Sequence, residues 1–200
     1  NSKYQIGVFY KFPFHLYKIE SWDVEHINSN TTNEEDDTMT QEQWLLNVYL
    51  SAENKIQSKI IDFFAKDSEE QRNKLFDEIK KHFHQAENWT PEEKNRIWNY
   101  TLLDSSTNRS YGNALFSGKR RVIIGKDKGV KISIPRSTRD RRLEFTAESK
   151  AESCFVPPCT KQVFMKYYSA IMTDANYWTK EIDAEGYLRD IKECINKLDN

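Results

Sequence analysis

The sequence predicts an α+β domain, mostly helical, in which two short strands far apart in the chain form one small sheet. Three observations carry this. Between Thr40 and Trp98 apolar residues recur three and four positions apart, the period of an amphipathic helix. On either side of that helical block lie short runs of strand character, Trp22-Asp23-Val24-Glu25-His26-Ile27 and Asn99-Tyr100-Thr101-Leu102-Leu103-Asp104. The chain has 200 residues, which suits one domain with an elaboration.

Taken in order, residues 1–21 carry Tyr4, Ile6, Val8, Phe9, Phe12, Phe14, Leu16 and Tyr17, aromatic packing material ahead of the first strand. His15 in this stretch reads as a packing residue. In a strand over 22–27 side chains alternate, so Asp23 and Glu25 share one face while Trp22, Val24 and His26 share the other. Residues 28–39 are Asn, Ser, Thr, Glu and Asp, a flexible acidic loop that borders the first strand. Residues 40–98 read as a helical insertion. Thr40-x-x-Gln43 has the form of a capping box, and Leu45, Val48, Ala52, Ile56, Ile60 and Phe63 predict one helix over 41–65. Ser68 starts a second helix with Leu75, Ile79 and Phe83 on its apolar face. Thr90-Pro91-Glu92-Glu93 starts a third, expected to run to Trp98. A further helix is expected from Thr107-Asn108. Residues 119–142 read as a basic hairpin and loop, with strands at Arg121–Gly125 and Gly129–Pro135. Pro157-Pro158 then precedes a helix with Val163, Phe164 and Tyr167, and a last helix is expected over about 183–198. The aromatic residues of these two helices, at helical spacing, are read as core.

The chemistry concentrates on Glu25-His26. A carboxylate holds a hard divalent cation through oxygen, and an imidazole takes a proton from water near neutral pH. Such a pair alone is commonplace. Its weight comes from Asn99, at the start of the second strand run, and Asn108, nine residues on, where a helix begins. Each of these, taken singly, is also ordinary turn or cap chemistry.

The order Glu25-His26, Asn99, Asn108 resembles the HNH, or ββα-metal, nucleases. The resemblance implies His26 as general base, Asn99 as the catalytic-site residue that fixes the nearby loop, and Glu25 and Asn108 as ligands of Mg2+ or Mn2+. Asp23 enters as a third ligand or as a group orienting one, and Asn113 as a second-choice ligand. A closer resemblance is to the C-terminal HNH domain of GmrSD-type restriction proteins. It rests on Phe12-Pro13-Phe14-His15-Leu16-Tyr17-Lys18, on Asn99 to Asp104 with Thr107 to Asn113, and on Phe116-Ser117-Gly118-Lys119-Arg120. Pro157 to Phe164 and the tail bearing Trp178 complete it. It implies a ββα-metal core with a helical insertion between its strands, and restriction of foreign or phage DNA with modified bases in the bacterial cytoplasm. In that family an N-terminal nucleotide-hydrolysing, ParB-like domain precedes this one. No residue here resembles it, so the chain reads as the C-terminal part of a longer protein. One departure is Asn28-Ser29-Asn30, where the family usually has Pro soon after His-Ile.

Net charge is −1, so any attraction to DNA rests on charge distribution rather than on the total. Basic residues crowd between Lys119 and Arg142 against only Asp127 and Asp140. Arg109, Lys119, Arg120, Arg121, Arg139, Arg141 and Arg142 are the candidates for double-stranded DNA phosphate contacts. The N-terminus of the helix at Asn108 is a further phosphate-binding candidate. Three Cys without dense spacing argue against a disulfide scaffold and suit a reducing compartment. Cys154 and Cys159 make at most half a zinc site. No apolar run approaches the roughly 18 residues that span a bilayer, and no signal peptide is visible. Two other classes fit the same residues: a DNA-binding or protein-interaction module with a degenerate nuclease site, and a metal-dependent RNase.

Overall fold

The computed structural model describes residues 14–28, 40–83, 89–130, 132–147, 155–167 and 176–198. The acidic stretch 29–39, His84, Cys154 and most of the aromatic N-terminal run fall outside them. The fold is mixed α+β and mostly helical, with two small antiparallel sheets. The elements run α1 (Phe14–Ile19), β1 (Trp22–His26), α2 (Gln41–Tyr49), α3 (Asn54–Ala65), α4 (Glu69–Lys80), α5 (Pro91–Lys94), β2 (Tyr100–Asp104), α6 (Ser105–Ser110) and α7 (Phe116–Asp127). They continue with β3 (Ser133–Ser137), β4 (Leu143–Ala147), α8 (Pro158–Phe164) and α9 (Glu185–Leu198).

The two strand runs do pair. β1 and β2 are antiparallel, with Trp22 opposite Asp104, Glu25 opposite Thr101 and His26 opposite Tyr100. Helix α6 follows β2 without a loop and packs on both strands. Its start differs from the expected Thr107-Asn108. Asp104 caps it, accepting from the Thr107 backbone N–H at 2.8 Å and from the Ser106 hydroxyl at 2.6 Å. A carboxylate at the cap matches both the free N–H groups and the positive end of the helix dipole. Asn108 therefore sits inside the helix rather than at its cap.

The segment between the two strands is helical, as expected, but is broken more finely. Thr40 and Thr90 each make a complete capping box, with Gln43 and Glu93. The expected helix over 41–65 is two, because the chain turns at Leu50–Glu53. There Leu50 and Ser51 abut α7, and a Cβ on Gly118 would lie 3.0 Å from the Leu50 Cβ. The expected third helix ends at Lys94, and a 3-10 turn over Ile97–Asn99 leads into β2.

The basic segment is rearranged. Arg121–Gly125, expected as a strand, belongs to α7, whose Phe116, Lys119, Val122 and Ile123 face inward at helical spacing. The hairpin lies further on. β3 pairs with β4, with Ser133 opposite Ala147 and Ser137 opposite Leu143. Gly125 lets this helix lie against Ile132, since a Cβ there would meet the Ile132 side chain at 2.8 Å.

The core joins the insertion to the sheet. Leu45, Ile60, Phe63, Phe76 and Ile79 are buried together with Ile27, Leu103, Val122 and Phe164. Of the late aromatics, Phe164, Trp178 and Tyr187 are core, as expected, whereas Tyr167, just past the end of α8, is 63% exposed. Phe116 stacks on Phe164 at 5.2 Å, and Trp178 meets Phe116 at 5.7 Å and Tyr187 at 6.2 Å. Helix α8 is tied to the sheet by the buried Thr101–Thr160 hydroxyl pair at 2.9 Å, and Thr160 also donates to the Leu102 carbonyl.

Candidate active site

The site gathers at the end of the β1–β2 sheet where β1 leaves it. His26 is half-buried, its ring 4.7 Å from that of Tyr100, its cross-strand partner. Its Nε2 lies 3.4 Å from Asn95 Oδ1, and the Tyr100 hydroxyl donates to the same oxygen at 3.1 Å. Neither Asn95 nor Tyr100 carries a sequence signal that marks it for this place. They meet His26 only because the 3-10 turn brings the chain back into β2.

Asn99 is fully buried and spans three segments. Its amide donates to the Asn28 carbonyl at 3.0 Å and to the Lys94 carbonyl at 2.8 Å, while its oxygen accepts from the Asn28 N–H at 2.8 Å. Its backbone carbonyl accepts from Ile27 N–H at 2.8 Å. The loop leaving His26 is thus fixed by one side chain and one carbonyl.

Glu25 points inward. Its Oε1 lies 2.6 Å from Lys119 Nζ, with only 12% of the Glu25 side chain and 2% of the Lys119 side chain exposed. Lys119 Nζ also donates to the His26 carbonyl at 2.6 Å and lies 5.7 Å from the centre of the Tyr111 ring. Burial pushes the Lys119 ammonium below its ordinary value, against the pull of the Glu25 charge. Burial, then the Glu25 charge, hold the Tyr111 phenol well above its own. Lys119, expected on the surface among the phosphate contacts, is buried in α7 and engaged with β1. Charge arithmetic explains this: a carboxylate taken out of water needs a compensating cation.

The remaining expected site residues take no part in these hydrogen bonds. Asp23 is exposed, and its Oδ1 accepts from the Val24 N–H at 2.8 Å. Val24, expected on the same strand face as Trp22, is 56% exposed, whereas Trp22 is buried and stacked on Phe155 at 5.7 Å. Asn108 is half-buried in α6, and among the described residues its amide makes no hydrogen bond. Asn113 is exposed beyond α6. For a divalent cation, Asp23 and Asn108 have suitable oxygen donors, whereas Glu25 is already engaged. Among the described residues no group of three His, Cys, Asp or Glu could hold a metal ion.

Of the basic candidates, Arg109 is exposed and folds back on Ser105, its Nε 3.0 Å from that carbonyl. Arg120 is half-buried and donates to the Phe164 carbonyl at 2.8 Å. It shares a shallow groove with the exposed Arg121, Ser51 and Ser117. Arg139, Arg141 and Arg142 are exposed in the turn between β3 and β4, where Arg141 lies 3.4 Å from Glu42. The N-terminus of α6 is filled by Asp104.

Comparison with protein-family models, with curated proteins and with solved structures gives no match. Among the described residues, no helix is long and apolar enough to cross a membrane.

Proposed function

We propose that this chain is an HNH-type endonuclease domain that hydrolyses DNA phosphodiester bonds with the help of Mg2+ or Mn2+, in restriction of foreign DNA. The observation that carries the reading is the pairing of β1 with β2 across a long insertion, with His26 at the sheet end, Asn99 fixing the loop beside it, and α6 following directly. His26 takes the proton of the attacking water. Asn99 keeps the imidazole's backbone in place. Asp23 and Asn108 would be the oxygen donors for a divalent ion, which when bound would offset charge on the scissile phosphate and leaving oxygen. Exposed arginines of the β3–β4 turn and α7 bind the DNA backbone without reading its sequence.

The engagement of Glu25 by Lys119 favours one alternative, a DNA-binding module whose nuclease site has degenerated. Plasmid nicking separates the two. The proposal expects relaxation of supercoiled plasmid with Mg2+ or Mn2+, its loss in EDTA, and its loss in His26→Ala with DNA binding retained. Binding without relaxation, unchanged by His26→Ala, supports the module. Digestion of RNA in preference to DNA under the same conditions supports the ribonuclease reading instead.

A further inference from the structure

The peptide group joining His26 to Ile27 is held at both ends. Its carbonyl accepts from Lys119 Nζ at 2.6 Å, and its N–H donates to the Asn99 carbonyl at 2.8 Å. The first of these holders reaches across more than ninety positions of sequence from the middle of α7. An ammonium there has no water to replace a lost acceptor, since Lys119 is buried. It stays because Glu25, one residue before His26, supplies the opposite charge at 2.6 Å. Glu25 thereby fixes Lys119, and Lys119 fixes the backbone that carries the imidazole. The Tyr111 ring beside the ammonium limits where else it can go.

We propose that Lys119 is a positioning residue for His26, and that Glu25 serves as its anchor rather than as a ligand for a divalent ion. The inference rests on the nuclease reading for its kinetic consequence, but not for its statement about metal. A carboxylate with one oxygen committed to a buried ammonium is a poor partner for a second cation, because the two charges repel at short range. The site thus carries its own fixed cation at the place where the resemblance expects a soluble one. It also explains why a lysine inside α7, rather than one on its outer face, is tied to the end of β1.

The test uses the whole chain. Mn2+ binding is followed by electron paramagnetic resonance for the parent, Glu25→Gln and Asp23→Asn. Nicking kcat and KM are measured for the parent, Lys119→Met and Glu25→Gln, with urea unfolding as a check of the fold. The expected result is equal Mn2+ affinity for the parent and Glu25→Gln. It includes a kcat lower by about a hundredfold in Lys119→Met and Glu25→Gln at unchanged KM, the scale of a misplaced catalytic group. Glu25→Gln keeps the side-chain volume, so it carries the test where Lys119→Met does not fold. Mn2+ binding weakened about tenfold or more in Glu25→Gln overturns the proposal, because a ligand's loss costs at least that much. Lys119→Met with raised KM and intact kcat also overturns it, since that is the signature of a DNA contact. A parent chain that binds no Mn2+ supports the anchor role and counts against metal dependence. A parent that binds Mn2+ but does not nick DNA defeats the nuclease reading, while the Mn2+ comparison still decides the place of Glu25.

Discussion

Asn99 illustrates how much one side chain can settle. It is fully buried and satisfies both sides of its amide, taking the Asn28 and Lys94 carbonyls and the Asn28 N–H. Removing it leaves buried backbone groups with no partner and no water, which costs far more than the net value of the bonds themselves. Asn99→Ala is therefore expected to lower stability by about 2–3 kcal/mol, read as a reduced urea midpoint at unchanged slope. Asn99→Asp discriminates further, because a carboxylate has no N–H for the two carbonyls, and it should be at least as damaging. A change below about 0.5 kcal/mol in Asn99→Ala, the scale of a surface substitution, would contradict the bracing role. The identity of this residue was legible in the sequence, because an Asn at the mouth of a strand is a local signal. Its partners were not, since Asn28 is brought to it only by pairing of β1 with β2. Asn95 and Tyr111 were missed for the same reason: nothing local marks them, and their contacts with His26 and the Glu25–Lys119 pair arise only on folding.

Elements were legible where their signals were local. The capping boxes at Thr40 and Thr90 fix the starts of α2 and α5, because cap and third residue are three positions apart whatever the rest of the chain does. The break between α2 and α3 has no Gly or Pro to announce it. At that break Leu50 and Ser51 lie close against Gly118 of α7, a contact that exists only in the packed structure. Helix α7 misleads for another reason. Val122-Ile123-Ile124 are β-branched and favour a strand locally, but burial of Phe116, Val122 and Ile123 on one side outweighs a preference of a few tenths of a kcal/mol per residue. Helix α6 has too few residues to be stable alone and depends on its cap and its packing. Burial pushes the Asp104 carboxyl up, but hydrogen bonds from Ser106 and Thr107 and the Lys126 charge more than offset it, so the net shift is downward. A carboxylate with a lowered native pKa contributes stability above its unfolded value near ~3.9, and loses it as pH falls through the lower native value. Asp104→Ala should thus cost about 1–2 kcal/mol at neutral pH, and the gap to the parent should narrow as the solution is acidified below about pH 4. Urea midpoints of both proteins measured across that range give the answer, and a gap constant with pH would assign the cap's contribution to something other than its charge.

At the scale of the whole molecule, the proposed binding to DNA would have to come from placement of charge, because the total is only −1. Lys119 adds nothing to the outer surface, and Arg120 spends part of its guanidinium on the Phe164 carbonyl. The exposed positive groups left together are Arg139, Arg141 and Arg142, presented on the β3–β4 turn. That turn is braced: the Thr138 N–H donates to the Arg142 carbonyl at 2.9 Å, the Arg141 N–H to the Thr138 carbonyl at 3.0 Å, and the Thr138 hydroxyl accepts from the Arg142 N–H at 3.1 Å. Arg141 sits at a φ of 58°, a conformation that a branched or long side chain adopts only when its surroundings hold it there. A rigid turn bearing arginines loses little entropy when it meets a phosphate backbone. Each phosphate neutralised releases counterions, and the logarithm of affinity falls with the logarithm of salt by about 0.9 per contact. Substituting Arg139 and Arg142 together with Ala should therefore weaken binding to a random duplex and flatten the salt dependence by about 1.8, at two contacts of about 0.9 each. On the proposed reading His26→Ala should leave that slope alone, since the imidazole would act on the water and not on the backbone charge. Fluorescence anisotropy titrations at several salt concentrations measure both, and a slope that Arg139→Ala with Arg142→Ala leaves untouched would move the DNA to another face, with the groove bearing Arg120 and Arg121 as the next surface to probe.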